Sequence, residues 1–452
     1  MSDIQNPLKE IIDNDLCTGC WVCAVFDKSP YTIQLDKFGM LKAKFSWNKW
    51  LTNKESKDIE ESCPFSDEAK NEDELSYIIF DKEIEKKEYV GHHIWFYAGH
   101  VSQWSYREKW SSWGMWTWIL SELLNEKLVD KVIHVKSTEN SLIFEYNISE
   151  SHEELQIWAK SKYYPITLFD MLTYIKNNDY RYAVVWIPCF LKWLRLYAEK
   201  NSLVKSRIHF TMGLVCWHLK SQKFWEMLAW QVWVQKKDLK AIDFREKNLS
   251  KSADAYNFSA TNKDGVKKIK NMKEMFGWNW WANFFKYKAC DLCDDTFAEV
   301  ADVTIGDAWI QPYTKEALWN NVVITRNKVI DKLLKKAITN KRLKLDIITY
   351  DQIVASQKAW INHKNKWLAY RLKYTKENIT KRVSPSNKWV SLFYKCIFRL
   401  RVILRDFSHI FYHVAEKLNS FTIFRILIWP TLLIYYSFYF FVFLKNKITR
   451  TK

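Results

Sequence analysis

The chain has 452 residues, room for two or three domains, and combines 9 cysteines, 9 glycines and 25 tryptophans with a formal net charge of +18. Nine cysteines, several in close pairs, argue for metal ligation in a reducing compartment and against a disulfide framework. The opening residues are polar and acidic, unlike a secretory signal, and no nucleic-acid recognition motif accompanies the basic excess.

Residues 1–75 read as a small cysteine-anchored module. Cys17-Thr-Gly-Cys20-Trp-Val-Cys23 places three thiols on one tight loop, and Cys63-Pro64 supplies a distant fourth. That spacing suits three corners of a cubane iron–sulfur cluster closed by a fourth thiolate. Tetrahedral zinc is the alternative, since Cys-x2-Cys also serves zinc. A two-cluster bacterial ferredoxin would carry its next cysteine where Asp27 stands, so this segment is expected to hold one cluster. Tyr31 to Asp36 alternates like a short strand, Phe38-Gly39 marks a turn, and the charged stretch Lys70 to Glu88 reads as a solvated helix or linker.

From Ile94 the pattern becomes an alternation of strands and helices. Strands are expected at Ile94–Ala98, Lys131–Lys136, Tyr182–Ile187, Ile208–Val215, Asp302–Trp309 and Asn321–Thr325. Helices are expected at Thr117–Asn125, Leu168–Asn177 and Val329–Asn340. This alternation argues for an α/β (α+β) core over about 90–370, with no internal repeat.

A tail over 376–452 follows. It holds fourteen Lys and Arg against three Asp and Glu, a net of +11, leaving +7 for the rest of the chain. Ile426 to Leu444 is nearly all apolar and just long enough to span a bilayer as a helix. Pro430, the aromatic richness and flanking cations equally suit an interfacial anchor on an anionic membrane surface, and a C-terminal core helix pair is the third option. Attachment to the inner face of the cell membrane is the expectation for an otherwise cytoplasmic protein.

The glycine count is about 2% of the chain, where a globular protein has about 7%. Tryptophan stands where glycine is wanted: Trp21 inside the cysteine loop, and Trp110, Trp113, Trp116 and Trp118 across a turn entering a helix. UGA is read as glycine in some bacterial lineages and as tryptophan in others. The expectation is that many of these tryptophans are glycines in the living protein.

Two further constellations carry chemistry. With glycine at 110, 113 and 116, the stretch from Arg107 through Ser111, Ser112, Trp113, Gly114 and Met115 would present free amides and a helix N-terminus to a phosphate, with the two serines and Arg107 as further donors. An ordinary helix N-cap at Ser111 or Ser112 is the plain alternative. Cys189 after Pro188, Cys216 after a strand, and the pair Cys290 and Cys293 come from strand ends or loops and could converge on a second cluster. Buried free cysteines are common, and only the Cys290/Cys293 spacing raises the odds. Asp307 sits in a turn that could serve a site. His92 and His93 lack ligand spacing, and Cys396 in the tail is expected to be unpaired.

Together these residues resemble the coenzyme F420 hydrogenase/dehydrogenase beta-subunit family of iron–sulfur flavoproteins. The likeness is carried by Cys17 to Cys23, Cys63-Pro64, Ser111 to Met115, Trp186 to Arg195, Gly213 to Trp217, Phe244-Arg245, Cys290 to Cys293 and Ala301 to Trp309, over roughly residues 10–365. The family pattern has glycine at the positions of Trp21, Trp113, Trp186, Trp193 and Trp217, and a true tryptophan at Trp309. The resemblance implies FAD at the Ser111–Met115 turn, a 4Fe-4S cluster on Cys189, Cys216, Cys290 and Cys293, and the amino-terminal ferredoxin-type 4Fe-4S cluster as an electron relay. It leaves use of the deazaflavin itself open.

The function expected is a flavin- and iron–sulfur-dependent oxidoreductase. Electrons would pass between a donor, such as ferredoxin or reduced deazaflavin, and a small organic or glycan-precursor substrate. The alternatives are a ferredoxin-like electron carrier without substrate chemistry, and a zinc-stabilised, membrane-tethered scaffold.

Overall fold

The structure, a computed structural model, describes residues 6–47, 49–103, 106, 114–138, 143–157, 162–374, 382–386 and 390–450. Near the amino terminus, β1 (Tyr31–Leu35) and β2 (Leu41–Phe45) form an antiparallel hairpin. Its turn is fixed by the Asp36 carboxylate, which accepts from the amides of Phe38 at 2.8 Å and Met40 at 2.9 Å, and by Gly39 at φ +69°. A helix over Asn53–Ser62 follows, opened by a Thr52/Glu55 capping box and ended at Cys63. Leu16, Ile33, Leu41, Ile59 and Phe65 pack together and onto Leu292, Leu368 and Leu372 of the body, so this module is docked.

The charged stretch expected to be solvated is instead partly buried. Its helix, Glu72–Ile79, hides Glu72 and Leu75. The charge is tolerated because Glu72 pairs with Lys192 at 3.3 Å and Arg382 at 3.8 Å.

After the short pair β3 (Lys86–Lys87) and β4 (Gly91–His92), an eight-stranded sheet forms the body. Its strands are β5 (Trp95–Val101), β6 (Lys131–Ser137), β7 (Phe144–Ser149), β8 (Tyr182–Trp186), β9 (Ile208–Leu214), β13 (Val303–Asp307), β14 (Asn321–Thr325) and β15 (Leu343–Ile347). A separate meander, β10 (Leu239–Glu246), β11 (Asn257–Asn262) and β12 (Lys267–Asn271), had no clear signal in the sequence. The sheet order is β15-β5-β14-β13-β9-β8-β6-β7. The four neighbours β13, β9, β8 and β6 run parallel, and the flanking strands pair antiparallel. Burial follows position in the sheet: β8 and the antiparallel β14 are both largely apolar and hidden along their length, as doubly covered strands must be, while the edge strand β15 alternates buried and exposed.

Helices cover both faces. Gly114–Asn125 and Lys328–Thr339 pack on one side through Ile119, Leu123, Ile330 and Leu334. Pro188–Lys200 covers the other through Phe190, Leu191 and Leu194. The tail forms an antiparallel pair of helices, Leu392–Lys417 and Phe421–Arg450, against that second side. His92 and His93 are packing residues, His93 stacked on Phe96 at 4.2 Å between ring centres.

One buried cation ties these layers. Arg326, at the end of β14, donates to the carbonyls of His92 at 2.7 Å, Val90 at 2.9 Å, Ala301 at 3.2 Å and Phe297 at 3.3 Å, and to the Thr304 hydroxyl at 2.8 Å. Arg326→Met keeps the bulk and removes every donor. It should lower unfolding free energy by about 3 kcal/mol or more, read from urea midpoints at unchanged slope. A loss under about 1 kcal/mol would contradict this account.

Candidate functional site

The first cysteine quartet is built by the amino-terminal loop. Gly19 sits at φ +70°, where an added Cβ would lie 2.6 Å from the Leu41 carbonyl oxygen, so the loop presses directly on the β2 backbone. Trp21 follows at φ +74°, a left-handed conformation that is costly for a bulky side chain. Cys17, Cys20, Cys23 and Cys63 all line one small cavity. The amides of Ala43 at 3.2 Å and Gly19 at 3.4 Å donate to Cys17 Sγ. Burial pushes the Cys20 and Cys23 thiols well up, and the neighbouring cysteines add to the rise.

The second quartet converges from three segments of the body. Cys189 opens the helix after β8, Cys216 follows β9, and Cys290 and Cys293 flank a tight turn before β13. Burial raises the Cys189 thiol, and Cys293, Cys216 and Cys290 each raise it further. Cys20 of the first quartet acts on Cys189 as well, so the two sets adjoin. The Leu219 amide donates to Cys290 Sγ at 3.2 Å, and the buried Lys364 ammonium reaches Cys293 Sγ at 3.4 Å.

Among the described residues no three His, Cys, Asp or Glu side chains stand at closed ligating distances. The quartets are therefore neighbours, not finished coordination shells. Their donor chemistry fits a thiolate-bound iron–sulfur cluster: four sulfurs each, in a dry setting that disfavours thiolates unless a cation accompanies them, with amide donors aimed at sulfur. Cys396 lies on the tail helix and is unpaired.

A large cavity opens at the carboxyl ends of the parallel strands β8, β9 and β13, where ligands of open α/β sheets bind. Its wall includes Trp186, Cys216, Trp217, Arg245, Asp307 and Lys220. Arg245 pairs with Asp307 at 2.8 Å and lies 3.5 Å over the Trp319 ring centre. Gln357 accepts from Trp217 Nε1 at 3.2 Å and donates to the Asp307 carbonyl at 2.9 Å, bracing this wall. Lys220 is almost fully buried and donates to the Phe284 carbonyl. Lys162 adds a cation to this wall beside the Arg245–Asp307 pair, while burial pushes Lys220 well below the ordinary lysine range and favours its neutral form.

The expected phosphate turn is only partly visible. Arg107, Ser111, Ser112 and Trp113 lie outside the described residues. Gly114 begins its helix, and Trp116, Thr117 and Leu120 from the first turns line the cavity. Met115 is fully buried under the sheet and packs in the core, away from the cavity wall. Sequence reasoning missed His134 and Lys220 in the wall and Lys364 beside the sulfurs. His134 sits in a strand buried over its first four residues, and Lys364 in a run that looks like solvated surface.

Comparison with known proteins gives a consistent result. Residues 96–173 match the family model for the N-terminal part of the beta subunit of coenzyme F420 hydrogenase/dehydrogenase. Residues 179–350 match the model for the C terminus of the same beta subunit. Together they span more than half of the chain. No curated protein matches. Among solved structures, a chain of the F420-reducing NiFe hydrogenase complex from Methanosarcina barkeri (a xenon derivative) is similar at 14% identity and TM-score 0.47. The alignment covers 68% of this chain and 100% of that one.

His134 offers a pH test of the cavity wall. Its Nε2 meets Ser149 Oγ at 2.8 Å, and burial pushes its pKa down to about 3. The folded state holds it neutral while the unfolded chain takes a proton below about pH 6.5, so its contribution is lost as pH falls from about 6.5 toward 3. His134→Gln should flatten the stability–pH curve there by about 1.4 kcal/mol per unit, measured by urea midpoints between pH 7 and 4. An unchanged slope would show that His134 is solvated.

Proposed function

Because this chain belongs to the coenzyme F420 hydrogenase/dehydrogenase beta-subunit family, a family of oxidoreductase subunits, we propose that it is an iron–sulfur flavoprotein passing electrons between a donor and a small organic substrate. The continuity of sulfur supports this reading. Cys216 lines the cavity, belongs to the second quartet, and that quartet adjoins the first through Cys189 and Cys20. Electrons entering at one end have a short route to the other.

Cys17, Cys20, Cys23 and Cys63 would hold one 4Fe-4S cluster, in a ferredoxin-type module. Cys189, Cys216, Cys290 and Cys293 would hold the second. FAD would lie in the cavity, with its phosphates toward the helix beginning at Gly114. Bound there, a flavin exchanges an electron pair or hydride and the clusters exchange single electrons. The chain's own residues prepare the site. Lys162 and Arg245 would supply positive charge for phosphates, and Asp307 with Gln357 fixes the Arg245 wall. Leu219 and Lys364 donate toward cluster sulfur, which tunes potential. The Lys162 and Arg245 side of the cavity suits an anionic substrate such as a phosphorylated glycan precursor, with ferredoxin or reduced deazaflavin as donor.

We propose further that Trp21, Trp113, Trp186, Trp193 and Trp217 are glycine in the native protein. Trp21, Trp233 and Trp319 all occupy left-handed backbone, which glycine adopts without strain. Among the described residues, the buried indole N–H groups of Trp21, Trp118, Trp193 and Trp225 have no hydrogen-bond partner. Trp309, the expected true tryptophan, shares that last trait, so the left-handed positions weigh more. Trp186 and Trp217 also fill the cavity where a flavin would need room.

Two measurements test these readings. Protein made anaerobically with glycine at the five positions should carry FAD and about eight irons. Cys20→Ala and Cys216→Ala should each remove about four irons and leave the other set. About four irons without flavin would point to an electron carrier, and zinc in a colourless protein would overturn the redox reading. Separately, peptide mass spectra of protein from its native host should give glycine at 21 and 217. Tryptophan at either position would refute the substitution.

A further inference from the structure

The final helix, Phe421–Arg450, has two unlike faces. Phe424, Ile428, Leu432 and Tyr435 are essentially fully buried, at the four-, four- and three-residue steps of one helical stripe. Phe424 packs on Phe276, Phe285 and Tyr412 at 5.5–6.0 Å between ring centres. The Tyr435 hydroxyl donates to the Trp281 carbonyl at 3.2 Å and accepts from Arg401. This stripe belongs to the protein core. Away from it, Ile426 is 65% exposed, Leu433 50%, Ile434 51%, Phe440 58% and Phe441 57%. So large an exposed apolar face on one helix marks a contact surface.

The charge pattern says what that surface meets. From 421 to 452 the chain has no carboxylate and five cations, Arg425, Lys445, Lys447, Arg450 and Lys452. In the sequence these cations precede and follow the apolar stretch, and Tyr436 and Tyr439 are exposed on the helix. That is the composition of a helix lying at an anionic lipid surface, with aromatic rings at headgroup level. A bilayer-spanning orientation would require Phe424, Ile428, Leu432 and Tyr435 to leave their core contacts. Pro430 is also exposed on the helix and cannot donate to the Ile426 carbonyl one turn back, which headgroups or water can satisfy at an interface.

We propose that the exposed face of this helix docks the protein on an anionic membrane, lying in the plane of the leaflet and not crossing it. The docking is independent of the redox reading, because it rests on the tail alone.

The test is flotation of the full-length protein with preformed vesicles, scoring co-migration. Strong binding is expected to phosphatidylglycerol-containing vesicles, with a drop of about tenfold or more on pure phosphatidylcholine or in high salt. The Ile434→Glu/Phe440→Glu double variant alters exposed positions only and should lose binding by a similar factor, with circular dichroism unchanged. A C-terminal affinity tag should stay open to protease added outside the vesicles. A protected tag would mean a spanning helix, and absence of vesicle binding would overturn the proposal. A dimer by light scattering that the double variant dissolves, without vesicle binding, would assign the face to a second copy.

Discussion

A thiolate is a charge, and the interior where Cys189, Cys216, Cys290 and Cys293 meet is dry. Burial pushes all four thiols up; neighbouring sulfurs raise Cys189, Cys216 and Cys290 further, and the Asp294 and Asp295 carboxylates raise Cys293. Cations are placed against this. Lys364 lowers Cys216, Cys290 and Cys293, and Lys286 lowers Cys290. Those lysines need partners in turn. Lys286 pairs with Asp291, next to Cys290, and the same carboxylate takes Arg405 from the first tail helix. Arg371 donates to the Asp291 backbone carbonyl at 2.8 Å. The C-terminal third is thus held to the cysteine loop by charge neutralisation as well as by apolar packing.

The sheet supplies the geometry. Parallel strands deliver their carboxyl ends to one side, so residues far apart in sequence, Cys189, Cys216 and Asp307, arrive together. Antiparallel strands extend the sheet on both sides of this parallel centre. Indoles crowd this same side. Trp217 stacks on Trp360 at 4.9 Å and Trp360 on Trp281 at 4.0 Å, in the region where a planar cofactor would compete for space. A chain with so few glycines must place bulky residues in backbone conformations and close approaches that glycine normally serves.

The amino-terminal module and the tail use the body differently. The module is bound through a shared apolar core and the Leu41 amide, which donates to the Tyr287 hydroxyl at 2.8 Å. The tail helix gives one stripe to the core and leaves the rest apolar and open, which no internal packing demand explains.

Local pattern fixed much of this. The spacing of Cys17, Cys20 and Cys23 dictates one shared site because three thiols on one turn cannot separate. Six of the eight strands of the sheet announced themselves through apolar runs such as Tyr182 to Trp186, with boundaries within a few residues of expectation, whereas β7 and β15 at its two edges did not. The family motif was legible because its residues cluster at strand ends. What the sequence could not decide was which solvated-looking charges are buried, and against what. Glu72, Lys364 and Asp291 read as surface until Arg382, Cys293 and Arg405 arrive from distant segments to pair with them. The tail was equally ambiguous. Its hydropathy permitted spanning, lying flat or joining the core, and only the packing of Phe424 to Tyr435 against the body separates these. Period and spacing are properties of the chain alone, whereas the cost of burying a charge or an apolar face depends on the partner that tertiary structure brings.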